Sequence, residues 1–77
     1  MKLTHAIDRY TAHLARQHRA EFARLAGEAI RAGLLTVQER DMIARPGTRK
    51  AGYWRRHLRD LRDVIRERRA RRGRGAA

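Results

Sequence analysis

The chain has no cysteine, which excludes disulfides and thiolate chemistry. Serine and asparagine are also missing, so the hydroxyl nucleophiles reduce to Thr4, Thr11, Thr36, Thr48, Tyr10 and Tyr53. Proline occurs once, at Pro46, and lysine only at Lys2 and Lys50. Aromatic residues make up 5% of the chain, too few for an extended base-stacking surface. No apolar run approaches the roughly 18 residues of a membrane span. The first residues carry no uninterrupted apolar stretch and no small-residue cleavage site, so no secretory signal is expected. A cytoplasmic location is the default expectation.

Arginine fills the space that these absences leave. The 77 residues hold 20 Lys+Arg against 8 Asp+Glu, a formal charge of +12. Residues 1–45 hold eight Lys/Arg and five Asp/Glu, a net of +3. Residues 46–77 hold twelve and three, a net of +9. A genome rich in G and C explains arginine in place of lysine, but not this asymmetry. A strongly cationic half is expected to face a polyanion or an acidic surface. A chain this short supports one domain with a thin core.

Hydrophobic spacing predicts an all-α chain of three helices. The first covers about 4–32, with Leu3, Ile7, Tyr10, Leu14, Phe22, Leu25 and Ala29 on one face and a polar gap at Gln17 and His18. Thr4 is its expected N-cap, and Gly33 its expected C′ residue in the left-handed conformation. Gly27 lies inside it, a position that close packing would explain. Thr36 and Glu39 match a capping box, which starts a second helix over about 37–44. Pro46 and Gly47 end that helix, and Thr48 caps a third over about 48–71. Trp54, Leu58, Leu61 and Ile65 form the apolar stripe of the third helix. Residues 1–72 are expected to form a single helical domain, with 73–77 a disordered tail.

Helix one should be about 43 Å long and helix three about 36 Å. The simplest arrangement is a long antiparallel helical hairpin with a short connecting helix. Two stripes make a thin core for so long a structure, which leaves room for a homodimer with a four-helix arrangement.

Little in the sequence points to catalysis or cofactors. Thr11 and His13 are two apart on a helix and cannot form a nucleophile–base dyad. The run from Arg45 to Gly52 has the wrong spacing for a phosphate-binding P-loop. His5, His13, His18 and His57 are not spaced as a metal set. The expectation is a non-enzyme with no catalytic residue, no metal and no cofactor. The narrow apolar stripe of helix three is better used in a core than at a membrane, so no membrane partner is expected. Helix two, the Pro46–Gly47 turn and helix three do not match a helix-turn-helix well. Ile43 stands where a small residue is usual, and Pro46 where an apolar helix residue is usual.

Guanidinium forks bind phosphate oxygens bidentately, and each phosphate contact releases counterions. Arg49, Lys50, Arg55, Arg56, Arg59, Arg62, Arg66 and Arg69 are therefore the candidate nucleic-acid contacts. Tyr53 and Trp54 are expected in the core. The resulting reading is a small basic nucleic-acid-binding accessory, regulatory or architectural, that contacts phosphates through helix three. No motif assigns the chain to a family. Its size and Arg/Ala bias are in the style of small phage or mobile-element proteins. The second reading is accordingly an inhibitor that docks on an acidic host machine, of the anti-CRISPR or other anti-defence kind. Its apolar centre would be Leu34, Leu35, Val37 and Met42. Burial of the two leucines in the protein's own fold would remove that centre.

Overall fold

The computed structural model describes residues 2–44 and 51–75, with the side chains of 2–5, 8, 51 and 52 left out of the description. Three helices form: α1 over Lys2–Arg31, α2 over Val37–Ile43 and α3 over Ala51–Gly75. α1 and α3 pack together as the long pair, and α2 lies between them in the chain and packs against α3. The all-α, three-helix expectation is met. α1 begins two residues before Thr4, whose side chain lies outside the described residues, as does the expected cap Thr48. α3 runs on to Gly75, four residues past its expected end.

The elbow follows its local sequence closely. Gly33 takes φ 73°, a conformation that costs a side-chain-bearing residue but not glycine. The Leu34 N–H donates to the Ala29 carbonyl at 2.8 Å, and the Gly33 N–H to that of Ile30 at 3.0 Å. This pair of bonds is a Schellman motif, and it turns Leu34 back onto Ala29 in the core. At the start of α2 the capping box is complete. The Glu39 N–H donates to Thr36 Oγ1 at 3.1 Å, and the Thr36 N–H donates to Glu39 Oε1 at 3.0 Å.

The contacts also fix the sense of the pairing. Trp54 meets Arg19 and Phe22. Further along, Ile65 and Arg69 share a cleft with Leu25 and Ala29. At the far end Arg72 reaches the Ala32 and Gly33 carbonyls. Contacts advance together along both helices, so α1 and α3 run in the same direction. This corrects the antiparallel sense. The expectation took a short connecting helix to return the chain antiparallel, whereas fifteen residues separate Leu35 from Ala51. α2 covers about 10 Å and an extended residue about 3.3 Å, enough to carry the chain the roughly 27 Å back along α1.

The core is confined by this stagger. Phe22, Ala26, Ala29, Leu34, Leu35, Leu58, Leu61 and Ile65 form one buried cluster, with Leu25, Ile30, Ile43, Trp54 and Val64 around it. α3 starts opposite the middle of α1, so among the described residues the first half of α1 has no partner helix. Ile7 is 61% exposed and Tyr10 65%, although they continue the apolar face. The described residues form a rod of 59 × 21 × 15 Å. Gly27 serves no close helix approach, since an added Cβ would meet only the Arg31 guanidinium at 3.5 Å. No helix among the described residues is long and apolar enough to cross a membrane.

Candidate nucleic-acid interface

Two kinds of arginine emerge on α3. Arg68 and Arg72 face the elbow and are consumed there. Arg68 Nη1 donates to the Leu34 carbonyl and to Glu39 Oε1, both at 2.8 Å, while Nη2 bonds Glu39 Oε2. Arg72 donates to the Ala32 and Gly33 carbonyls at 3.0 and 3.3 Å. These carbonyls belong to the C-terminal end of α1, where orphan acceptors and the negative pole of the helix favour a cation. Both arginines had read as cationic surface in the sequence. Nothing local marks them, because their partners lie 29 to 40 residues away.

Glu39 therefore has two tasks, capping α2 and holding Arg68. The hydrogen bonds from Arg68, then that from the Thr36 backbone, lower its pKa from 4.5 to about 2. The same pairing raises Arg68.

The other kind is a ladder. Arg55, Arg59, Arg62, Arg66 and Arg69 succeed one another at alternating steps of four and three. That spacing puts all five on one stripe of α3, beside the Leu58–Leu61–Ile65 core stripe. The stripe is about 21 Å long. All five are exposed. Asp60, Asp63 and Glu67 occupy a different register, in series with Arg56 and Arg71. The acids thus form a neighbouring row, in which Asp63 alone stands three or four residues from ladder arginines, Arg59 and Arg66. The Glu67–Arg71 ion pair forms there at 2.5 Å. Arg56–Asp60 and Arg59–Asp63 also have the i,i+4 spacing of an ion pair, but neither forms one. Like charges three and four apart each destabilise a helix slightly. A ladder of five without an interposed acid is a cost that an anion would relieve.

The ladder borders an open groove between α3 and α1. One part of it, about 850 Å³, is lined by Arg55, Arg56, Arg59, Arg62 and Arg66, facing Gln17, His18 and Glu21. It continues into a smaller cleft of about 300 Å³, lined by Arg62, Arg66 and Arg69 against Leu25 and Glu28. The polar gap in the α1 stripe is thereby explained, since Gln17 and His18 form the groove's opposite wall. Glu21 is the wall's anion. It is held by Arg24 at 2.5 Å, with Arg62 at 4.0 Å. The Arg24 hydrogen bond is the main cause of its lowered pKa, so it stays ionised near neutrality. Among the described residues, Arg55, Arg59, Arg66 and Arg69 have no carboxylate within ion-pair distance.

Six of the eight candidate contacts therefore line one groove. Arg49 and Lys50 lie outside the described residues. Trp54 packs edge-on against Phe22 at 5.7 Å between centroids, as a core residue should. Tyr53 is a correction: it is 42% exposed and stacks on His57 at 6.1 Å. It sits about 100° round α3 from Trp54, on a side turned away from the α1 stripe. Leu34 and Leu35 are buried in the core, so the apolar centre drawn for protein docking keeps only the exposed Val37 and Met42. Among the described residues no three His, Cys, Asp or Glu side chains gather as a metal set. Compared with protein families, curated proteins and solved structures, the chain matches none.

Proposed function

We infer that this is a small, non-enzymatic nucleic-acid-binding protein that grips phosphates in the groove between α1 and α3. A regulatory or architectural accessory would use such a module. The observation that carries this reading is the segregation of charge on α3. Five arginines without an interposed acid follow one stripe for about 21 Å along an open groove. Guanidinia in that setting suit a repeating, closely spaced anion, which a phosphodiester backbone supplies. A solvated helix with no partner would gain from acids interspersed in the row, and here the acids stand in the neighbouring row.

The test separates site from bulk charge. Arg59→Glu with Arg66→Glu is expected to abolish retention of a labelled oligonucleotide in a gel shift. Arg71→Glu with Arg74→Glu changes net charge equally but lies on the other side of α3. It is expected to leave retention within about threefold, as for charges outside the contact. Equal loss from both pairs would mean that only net charge matters. Binding by neither the native chain nor any variant would return attention to an acidic protein partner.

A further inference from the structure

We propose that the groove takes a double-stranded phosphate backbone and reads no bases, a step that rests on the nucleic-acid reading above. The first observation concerns aromatic side chains. Proteins that hold single strands do so largely by stacking bases on exposed aromatic rings. Here no Phe, Tyr or Trp lines the groove or its continuation, and the imidazole that does, His18, stands on the wall opposite the ladder. Tyr53 and His57 stack on each other, and Trp54 is engaged by Phe22, His57 and the Arg19 guanidinium at 5.7 Å. Tyr53 and His57 also precede Asp60 and Val64 in register, not the arginine ladder. A strand lying along the ladder would have no succession of rings to stack on, His18 alone facing it.

The second observation concerns hydrogen-bonding groups. Reading adenine calls for Asn or Gln, reading cytosine for Asp or Glu, and reading guanine for Arg or Lys. The chain has no asparagine, and its two glutamines are Gln17 and Gln38. Only Gln17 lines the groove, on the wall opposite the ladder. Glu21 is fully occupied by Arg24. What remains is guanidinium, which binds guanine edges as well as phosphates, but five in one row over about 21 Å match a line of phosphates and would read only guanine.

The third is charge density. A duplex presents one charge per about 1.7 Å of axis, twice that of one of its strands, and releases more counterion per contact. A ladder that gains only from phosphates therefore prefers the duplex. A DNA and an RNA duplex offer this chemistry alike, and the experiment carries both.

Fluorescence anisotropy with the full chain would use a 20-base-pair DNA duplex, the corresponding RNA duplex, and each separated strand. A second DNA duplex of unrelated sequence completes the set. The expected result is at least about tenfold tighter binding to one or both duplexes than to any strand. The two DNA sequences should agree within about twofold, and Tyr53→Ala should change nothing beyond that. Strands bound as tightly as duplexes, a tenfold preference between the two DNA sequences, or a fivefold loss with Tyr53→Ala would each overturn the proposal and leave the nucleic-acid reading standing. Absence of binding to every polymer would overturn both.

Discussion

Arg68 and Arg66 sit two residues apart on one helix and do opposite work. Arg68 turns to the elbow, where Glu39 and the Leu34 carbonyl consume its donors. Arg66 turns to the groove and finds no carboxylate among the described residues. The same contrast separates Arg72 from Arg69. A helix that looks uniformly basic is thus divided lengthwise into a stripe engaged in the fold and a stripe left free, the one proposed to bind. Net charge alone misses this division, because it counts both stripes together. On the proposed reading, binding falls to the arginines that the fold leaves unpaired.

The largest disturbance would erase the distinction altogether. Leu61 is fully buried at the centre of the cluster that holds both stripes in place. Leu61→Ala should cost about 2–5 kcal/mol, enough to unfold much of so small a chain, as thermal or urea melts followed by circular dichroism would show. Retention of a native melt would mean that the α1–α3 packing is not what positions the ladder.

A reciprocal pair of variants sharpens the contrast. Arg59→Ala with Arg66→Ala should weaken nucleic-acid binding by about tenfold or more while leaving the melting temperature unchanged or raised. Arg68→Ala should do the reverse, lowering the melting temperature while the folded protein binds as before. Loss of binding in both would collapse the two stripes into one.

Acid offers a third way in. Glu39 has its pKa depressed to about 2 when folded, against an ordinary 4.5. Its contribution to stability is therefore complete above about pH 4.5 and is lost as pH falls from there toward 2. Glu39→Gln should flatten the stability profile across that window. An unchanged profile would show that the Arg68 latch contributes nothing to the acid limb.

The smallest expected effect lies in the groove wall. Glu21 places a negative charge opposite the ladder, where a phosphate must compete with it. Glu21→Gln should tighten binding by about threefold at low salt, the scale of one exposed charge, and the gain should fade as salt rises. Weaker binding would mean that Glu21 holds the groove open through Arg24.

Much of the fold was legible from local signals. Thr36 and Glu39 announced the start of α2, and Gly33 the end of α1, because caps and left-handed turns depend on neighbouring residues only. The Leu58–Leu61–Ile65 stripe was equally plain. The direction of the long pair was not, since it depends on how the chain travels between Leu35 and Ala51. Nor were the tasks of Arg68 and Arg72, whose partners are distant in sequence. Ile7 and Tyr10 belong to a continuous apolar stripe, yet the stagger of α3 leaves them exposed. Six of the candidate groove residues were found from charge alone. Their separation from Asp60, Asp63 and Glu67 could have been read too, by placing each residue on its face of the helix.

The most direct test of the central claim is the salt dependence of duplex binding. Five ladder contacts predict that log affinity falls against log salt with a slope of about 4.5, at roughly 0.9 per phosphate. Removing Arg59 and Arg66 by alanine should lower the slope to about 2.7. A slope that those substitutions leave unchanged would contradict the account.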